Sequence, residues 1–290
     1  MTSFFDIKDL SKKDLERIID DSIDIKKNGC DKILKNKNVL MIFEKPSLRT
    51  RISFEVCIND LGGNSLILNS NEFKFGERES IYDSTKVLDR YVDFMIIRSF
   101  EHSILKEVES NFSKPIINAL SDLSHPCQIL ADLMTFKENS VNELEKVCWI
   151  GDGNNVCNSY IEASKMLDFE LSIYCPKEYS PNYSFLDYAK ENSSFANSRE
   201  EAAKGADIIT TDVWVSMGDE KTKERAFKGY FVDTELIEST GKKSIFLHCL
   251  PAHRGQEITF ELMEHPSSKV LQQAENRMHV QEALIENLLS

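Results

Sequence analysis

At residues 39–51 the chain reads VLMIFEKPSLRTR, and this stretch decides the fold class. Its first five residues are uninterrupted apolar side chains, including the β-branched and aromatic types that buried strands prefer. Ser47 is a favourable helix N-cap, and apolar side chains recur after it at helical spacing until Gly62 and Gly63 end the helix. A buried strand that runs straight into a helix is the building block of α/β sheets.

The same alternation of strand and helix continues along the chain. Further strands are predicted at residues 65–68, 94–97, 115–119, 147–150, 171–175, 206–210 and 245–247. We therefore predict an α/β protein with two doubly wound parallel-sheet domains. The first comprises residues 1–138 and a C-terminal helix, residues 272–290, that packs back on it, and the second comprises residues 139–271.

The composition argues against several classes of protein. A formal net charge of -13 argues against a nucleic-acid partner, because a phosphate backbone demands a basic surface. No apolar run approaches the roughly 20 residues of a membrane-spanning helix, and the N-terminus lacks a secretory signal pattern. The seven cysteines contain no C-x-x-C pair, so we expect reduced thiols in the cytoplasm and no metal site.

In the first predicted domain, polar side chains collect where strands end. Ser47, Arg49 and Thr50 open a helix whose unpaired N–H groups and dipole favour an anion. Arg98 follows the strand at 94–97, and His125 opens the helix after the strand at 115–119. Because the carboxyl ends of parallel strands meet at one edge of a sheet, these groups are expected to form a phosphate site. Taken singly, each is more often a helix cap, a core histidine or a solvated charge.

The second predicted domain carries a glycine-containing turn at residues 151–155, which read GDGNN. Its likeness to a dinucleotide-binding loop is superficial, because Val156 occupies the third glycine position and Asp152 would repel a pyrophosphate. A tight turn that presents Asn155 as a hydrogen-bond donor fits better.

Two further strand ends in this domain carry reactive side chains. Asp212 follows the strand at 206–210 and suits a primary ammonium group, although a carboxylate there is also an ordinary helix cap. His248 and Cys249 follow the strand at 245–247. Adjacent residues on an extended segment point in opposite directions, so this pair is a poor candidate for a cysteine hydrolase.

Six blocks of the sequence, taken together, resemble the aspartate/ornithine transcarbamylase family. They are residues 44–51, 125–132, 151–155, 212–218, 248–254 and 275–277, in the family's order and spread over nearly the whole chain. The blocks at 216–218 and 248–251 are similar to the ornithine branch. The resemblance implies an enzyme of arginine biosynthesis that transfers the carbamoyl group from carbamoyl phosphate to the δ-amine of L-ornithine, giving citrulline and phosphate.

The resemblance also implies the residues of two substrate sites. The carbamoyl phosphate site would consist of Ser47, Leu48, Arg49, Thr50, Arg98, His125, Gln128, Cys249, Leu250 and Arg277, and the ornithine site of Asn155, Asp212, Ser216 and Met217. Thr50, Arg98 and His125 would polarise the carbamoyl oxygen, while the arginines hold the phosphate. Gln128 and the carbonyls of Cys249 and Leu250 would orient the carbamoyl NH2 group. The implied catalytic residues are Arg98, His125, Cys249 and Arg277.

Two positions depart from the family pattern. Leu48 replaces the usual threonine and keeps only the backbone N–H as a donor. Lys74 stands where the family places a glutamine or histidine that reaches a neighbouring subunit. The resemblance implies a homotrimer that needs no cofactor or metal.

The sequence alone is also compatible with other functions. A transcarbamylase for another amine, such as putrescine or an acylated ornithine, would use much the same blocks. A non-catalytic binding protein could retain the fold, and a dinucleotide enzyme is a more distant possibility. The anabolic and catabolic directions of the ornithine reaction use the same residues.

Overall fold

The computed structural model describes residues 3–215 and 221–289, with only the backbone of Lys221. The chain divides into two compact units, the first formed by Met1–Met134 with Glu275–Ser290 and the second by Thr135–Ala274. Each unit contains its own five-stranded parallel sheet with helices, which confirms the predicted α/β class. None of the described helices combines the length and the apolar character needed to cross a membrane.

The sheet of the first unit has the strand order β1-β5-β4-β2-β3. Its strands are β1 (Ser3–Phe4), β2 (Asn38–Phe43), β3 (Asn64–Asn69), β4 (Phe94–Arg98) and β5 (Ile116–Leu120). Phe43 at the end of β2 lies in register with Arg98 at the end of β4. The carboxyl ends of these two central strands therefore reach the same edge of the sheet.

The helices of the first unit connect these strands. They are α1 (Lys12–Asn28), α2 (Leu48–Asp60), α3 (Ile81–Tyr91), α4 (His102–Glu109) and α5 (Pro126–Asn139), the last of which continues into the second unit. Helix α2 begins where the sequence predicts, because the Ser47 hydroxyl accepts a hydrogen bond of 3.3 Å from the Thr50 N–H. Gly62, with φ at +81°, follows its last turn.

The second unit has the strand order β10-β9-β6-β7-β8. Its strands are β6 (Lys146–Ile150), β7 (Glu170–Tyr174), β8 (Ser193–Phe195), β9 (Ile208–Thr211) and β10 (Ile245–His248). The α-helices are α6 (Asn155–Leu167), α7 (Tyr183–Tyr188), α8 (Arg199–Ala203) and α9 (Thr234–Ser239), and a 3-10 helix spans Lys221–Phe227. Buried side chains such as Cys148, Ile209 and Phe246 form the core beside the central strands.

The last helix, α10 (Val270–Leu289), starts a few residues earlier than its apolar pattern suggests. Its later residues belong to the first unit, as the sequence predicts. Lys26 donates a hydrogen bond of 2.7 Å to the Asn276 side chain, and Gln281 donates one of 3.1 Å to the Ser53 hydroxyl. The helix is therefore tied to both α1 and α2.

Several short elements escape the sequence prediction. Strand β1 has two residues and β8 has three, and both lie at sheet edges, where a strand needs little apolar character. Helices α8 and α9 have five and six residues, too few for a clear apolar period. Helix α7 begins at Tyr183, where the Asn182 side chain caps it.

Candidate active site

The anion-binding elements of the first unit begin at the N-terminus of α2. Arg51 is 3.7 Å from Glu55 one turn along the helix, which makes it a surface ion pair. Arg49, two residues earlier, makes no side-chain hydrogen bond or ion pair with any described residue. The Leu48 side chain is 71% exposed and has no polar atom, so its backbone N–H is the only donor that it can offer to a ligand at the helix start.

Two guanidinium groups meet at one buried hydroxyl beside this helix start. Arg98 and Arg277 each donate a hydrogen bond of 3.3 Å to the Thr50 hydroxyl oxygen. Thr50 is 1% exposed and Arg277 is 5% exposed. Residues from β4, α2 and α10 thus concentrate two positive charges in a largely desolvated position of an otherwise acidic chain. Such an arrangement favours a small anion strongly, because charge interactions strengthen as water is excluded.

Gln128 joins this cluster through its side-chain oxygen. Arg277 donates a hydrogen bond of 3.3 Å to that oxygen, and the Gln128 amide nitrogen donates one of 2.9 Å to the Asp132 carboxylate. The buried Asp132 therefore fixes the amide so that its acceptor oxygen faces the arginine. Asp132 was not among the predicted site residues, although its position one helical turn after Gln128 on α5 was a usable signal.

His125 lies at the start of α5 and is 4% exposed. Burial, followed by the positive charges of Arg277 and Arg98, holds the pKa of His125 well below the ordinary value of 6.5. The imidazole is therefore neutral at physiological pH and acts as a hydrogen-bonding group rather than a cation. The structure brings together five of the predicted residues of this half of the site, namely Thr50, Arg98, His125, Gln128 and Arg277.

In the second unit, the Asp212 carboxylate is the centre of a second polar cluster. One oxygen accepts hydrogen bonds from the Val213 N–H at 2.8 Å and the Cys249 thiol at 3.0 Å. The other accepts a hydrogen bond of 2.7 Å from the Asn154 amide. The carboxylate is 7% exposed and is held in a fixed direction at the end of β9.

The residue that contacts Asp212 is Asn154, the neighbour of the predicted substrate contact Asn155. The Asn154 side-chain oxygen caps α6 by accepting hydrogen bonds from Val156 N–H at 3.0 Å and Cys157 N–H at 3.2 Å. Because the oxygen is used by the cap, the amide nitrogen must face Asp212. Asn155 is the first residue of α6, and its assignment to a substrate stays a prediction.

Asp212, His248 and Cys249 also offer ligand atoms within 4.8 Å of one another, a spacing that a metal ion could use. Both ring nitrogens of His248 are engaged, however. Nδ1 accepts a hydrogen bond of 2.9 Å from the Leu250 N–H, and Nε2 lies 3.2 Å from the buried Glu257 carboxylate. A metal would have to displace the Leu250 amide to reach the lone pair of Nδ1, so this triad does not fit a metal as it stands.

Three remaining predicted residues have a different status. Ser216 and Met217 lie outside the described residues. Lys74 lines an open cavity of about 380 Å³ together with Glu44, Glu77 and Phe100. Its side chain makes no hydrogen bond or ion pair with the described part of the chain.

Comparison with known proteins gives consistent matches over nearly the whole chain. The family model described as the carbamoyl-P binding domain of aspartate/ornithine carbamoyltransferase matches residues 2–138, and the model of the Asp/Orn binding domain matches residues 144–288. The ornithine carbamoyltransferase of Methanococcus vannielii is 44% identical over 296 residues, which cover 97% of this chain and 96% of the relative.

Solved structures agree with these sequence matches. Ornithine carbamoyltransferase from Thermus thermophilus is 38% identical with a TM-score of 0.92, and the match covers 99% of each chain. The anabolic ornithine carbamoyltransferase from Campylobacter jejuni is 37% identical with a TM-score of 0.94, again over 99% of each chain. The likeness therefore extends through both units.

Proposed function

Because the chain belongs to the aspartate/ornithine carbamoyltransferase family, we propose that it transfers the carbamoyl group of carbamoyl phosphate to the δ-amine of L-ornithine. The products are L-citrulline and phosphate. One observation carries the proposal at the level of chemistry. Arg98 and Arg277 converge on Thr50 beside a neutral His125, which is a set of donors suited to a carbamoyl oxygen next to a phosphate.

We assign the phosphate to the start of α2. The free N–H groups and dipole of the helix, with the Arg49 guanidinium, supply positive potential and directed donors. Arg49 is available for this role because no described protein group engages its side chain. The absence of a hydroxyl at Leu48 leaves the backbone N–H of that residue as the donor.

The carbamoyl group would lie against the cluster around Thr50. As the amine attacks, the carbonyl oxygen gains negative charge, and Arg98, His125 and the Thr50 hydroxyl stabilise it by donating hydrogen bonds. The oxygen of Gln128 accepts from the carbamoyl NH2 group, since Asp132 holds the amide in that orientation. The carbonyls of Cys249 and Leu250 are proposed as further acceptors for the same NH2 group.

Ornithine is assigned to the second unit, where Asp212 offers a buried carboxylate to an amino group. Asn155 is proposed as an additional contact, and Cys249 lies beside the carboxylate through its 3.0 Å hydrogen bond. The neutral δ-amine forms the new C–N bond with its lone pair, and the C–O bond to phosphate breaks with its electron pair leaving on phosphate. The proton lost from the amine is released to phosphate or solvent. Holding both reactants in place supplies a large part of the rate enhancement.

A direct assay tests the proposal. Purified protein supplied with carbamoyl phosphate and L-ornithine is expected to form citrulline and phosphate in equal amounts. Putrescine and N-acetylornithine serve as competing amines in the same assay. Faster phosphate release with either amine would identify that amine, rather than ornithine, as the substrate. Tight carbamoyl phosphate binding without turnover would indicate a binding protein.

The activity is expected to rise with pH. An alkyl ammonium with a pKa near that of lysine, about 10.4, yields roughly tenfold more neutral amine for each pH unit gained below that value. Because burial holds the pKa of His125 well below its ordinary value, the titration of His125 is not expected to produce this rise. The measurement is kcat/KM for ornithine between pH 6 and 9. The rising limb should persist in His125→Gln at a lower rate, and a flat profile with chemistry limiting would contradict the mechanism.

We also propose a homotrimer, on the basis of an exposed apolar surface of the first unit. Leu48, Ile52 and Val56 follow one another at four-residue spacing on α2 and are 71%, 50% and 37% exposed. Leu66 on the edge strand β3 is 46% exposed. A monomer rarely leaves so many large apolar side chains in water. Lys74, whose side chain lacks a partner among the described residues, is proposed to reach the site of a neighbouring subunit.

A charge placed on this surface should separate the subunits. Wild-type protein is expected to sediment at three times the chain mass, and Ile52→Asp at the mass of one chain, because a desolvated carboxylate costs several kcal/mol. Val141→Asp is the matched control, since that side chain is fully exposed. A trimer that persists in Ile52→Asp at micromolar concentration would place the interface elsewhere.

A role in arginine biosynthesis in the cytoplasm completes the proposal. The likeness to the anabolic enzyme of Campylobacter jejuni supports the direction. All seven cysteines are free thiols, which is typical of proteins in a reducing compartment.

A further inference from the structure

The turn at residues 151–154, between β6 and α6, carries two polar side chains, Asp152 and Asn154, that are not assigned to either substrate. It is pressed closely against the chain that follows β7, because a Cβ atom at Gly153 would overlap Pro181. The Trp149 indole N–H donates a hydrogen bond of 3.0 Å to the Asp152 carbonyl oxygen. The turn is therefore a rigid support on which its two polar side chains are mounted.

These two side chains bind two residues outside the turn. Asn154 donates its 2.7 Å hydrogen bond to Asp212, which directly follows β9. Asp152 accepts a hydrogen bond of 2.6 Å from Lys223 in the 3-10 helix Lys221–Phe227. Asp212 and Lys223 are thus both hydrogen-bonded to the same four-residue turn.

The surroundings of Lys223 and Asp152 hold both side chains in one position. The two side chains are 13% and 9% exposed, so water screens their attraction little. The Lys223 ammonium also lies 5.0 Å from the centre of the Tyr179 ring and 5.8 Å from that of Phe227. A solvent-exposed ion pair would lack these neighbouring aromatic rings and would restrict the motion of its two side chains far less.

We infer that Lys223 and Asp152 are positioning residues for the amine substrate. Their ion pair, together with the Asn154 contact, keeps the Asp212 carboxylate in the direction that an ammonium or amine requires. This inference rests on the proposed function, since it assumes that Asp212 receives ornithine. Neither Lys223 nor Asp152 is assigned a contact with substrate.

The test is a comparison of Michaelis constants in the citrulline assay. Lys223→Met is expected to raise the KM for ornithine by about tenfold, as is typical of coupling within a hydrogen-bonded network, while the KM for carbamoyl phosphate stays within twofold. Lys223→Arg, which keeps the charge, should recover most of the ornithine affinity. Lys228→Met is the matched control, because Lys228 is an exposed neighbour and its loss changes the net charge equally.

A second variant covers the case in which Lys223→Met folds poorly because the buried charge of Asp152 is no longer balanced by the Lys223 ammonium. Asp152→Asn/Lys223→Met removes both charges, and it should show the same selective rise in the KM for ornithine. An ornithine KM within twofold of wild type in a folded variant, or an equal rise for both substrates, would overturn the inference. Absence of citrulline formation by the wild-type protein would instead refute the proposed function.

Discussion

Arg98→Met is expected to lower kcat by roughly 10²–10³-fold, which is the usual effect of removing one donor from a developing oxyanion. Arg98 shares the Thr50 hydroxyl with Arg277, and its positive charge acts on the buried His125. Methionine fills a similar volume but donates no hydrogen bond. The effect should therefore appear in both kcat and kcat/KM for carbamoyl phosphate, because the lost interaction is strongest in the transition state.

The same variant makes a second measurable change. The Arg98 charge is one of the causes that lower the pKa of His125, so its removal should move that pKa upward while burial continues to oppose protonation. Ring-proton NMR shifts of His125 would report the movement. Arg90→Met is the control, since Arg90 is an exposed arginine of α3. A rise in KM with unchanged kcat would mean that Arg98 contributes only to ground-state binding.

Asp212→Asn is the second variant with a large expected effect. We expect kcat/KM for ornithine to fall about 10²-fold, because truncating one partner of a buried charged contact costs on the order of 3 kcal/mol. The carboxylate oxygens now accept from Asn154, Val213 and Cys249. An amide has one acceptor oxygen, so the substituted side chain must abandon at least one of these donors as well as the negative charge.

The KM for carbamoyl phosphate is the reference measurement. In Asp212→Asn it should stay within about threefold of the wild-type value, because the substitution removes less than about 1 kcal/mol of binding free energy from that site. Asp187→Asn, an exposed carboxylate of α7, is the matched control. If ornithine saturates Asp212→Asn at the wild-type concentration, the amine has been assigned to the wrong carboxylate. A thermal unfolding midpoint near that of wild type would exclude simple loss of folding.

The parts of the fold that depend on local pattern could be predicted from the sequence. The step from β2 into α2 was predictable because an apolar run, a capping serine and a glycine pair all lie within a short stretch. Strand β8 was not, since its polar residues gain their structure from pairing with β7. Such an edge strand is specified by its neighbour rather than by its own side chains.

The candidate site shows a similar division. Arg98 and His125 could be placed together because parallel strand ends share an edge, and Arg277 was suggested only by the family resemblance. The contact between Asn154 and Asp212 could not be predicted from the sequence, because adjacent asparagines are equivalent until the helix start is known. Once Asn154 is the cap, its oxygen is committed and its nitrogen must serve Asp212. The ion pair between Lys223 and Asp152 joins residues too far apart for any spacing rule.

The membership of α10 in the first unit has a consequence for protein synthesis. The ribosome completes Met1–Met134 long before it makes Arg277, because Thr135–Ala274 must be translated in between. At 5–20 residues per second this interval is roughly 7–30 s. During this interval the nascent first unit lacks the Arg277 guanidinium, which donates hydrogen bonds to both Thr50 and Gln128. Premature capture of the anionic substrate is disfavoured during this interval, and a gene fragment ending at Met134 would encode the same incomplete pocket.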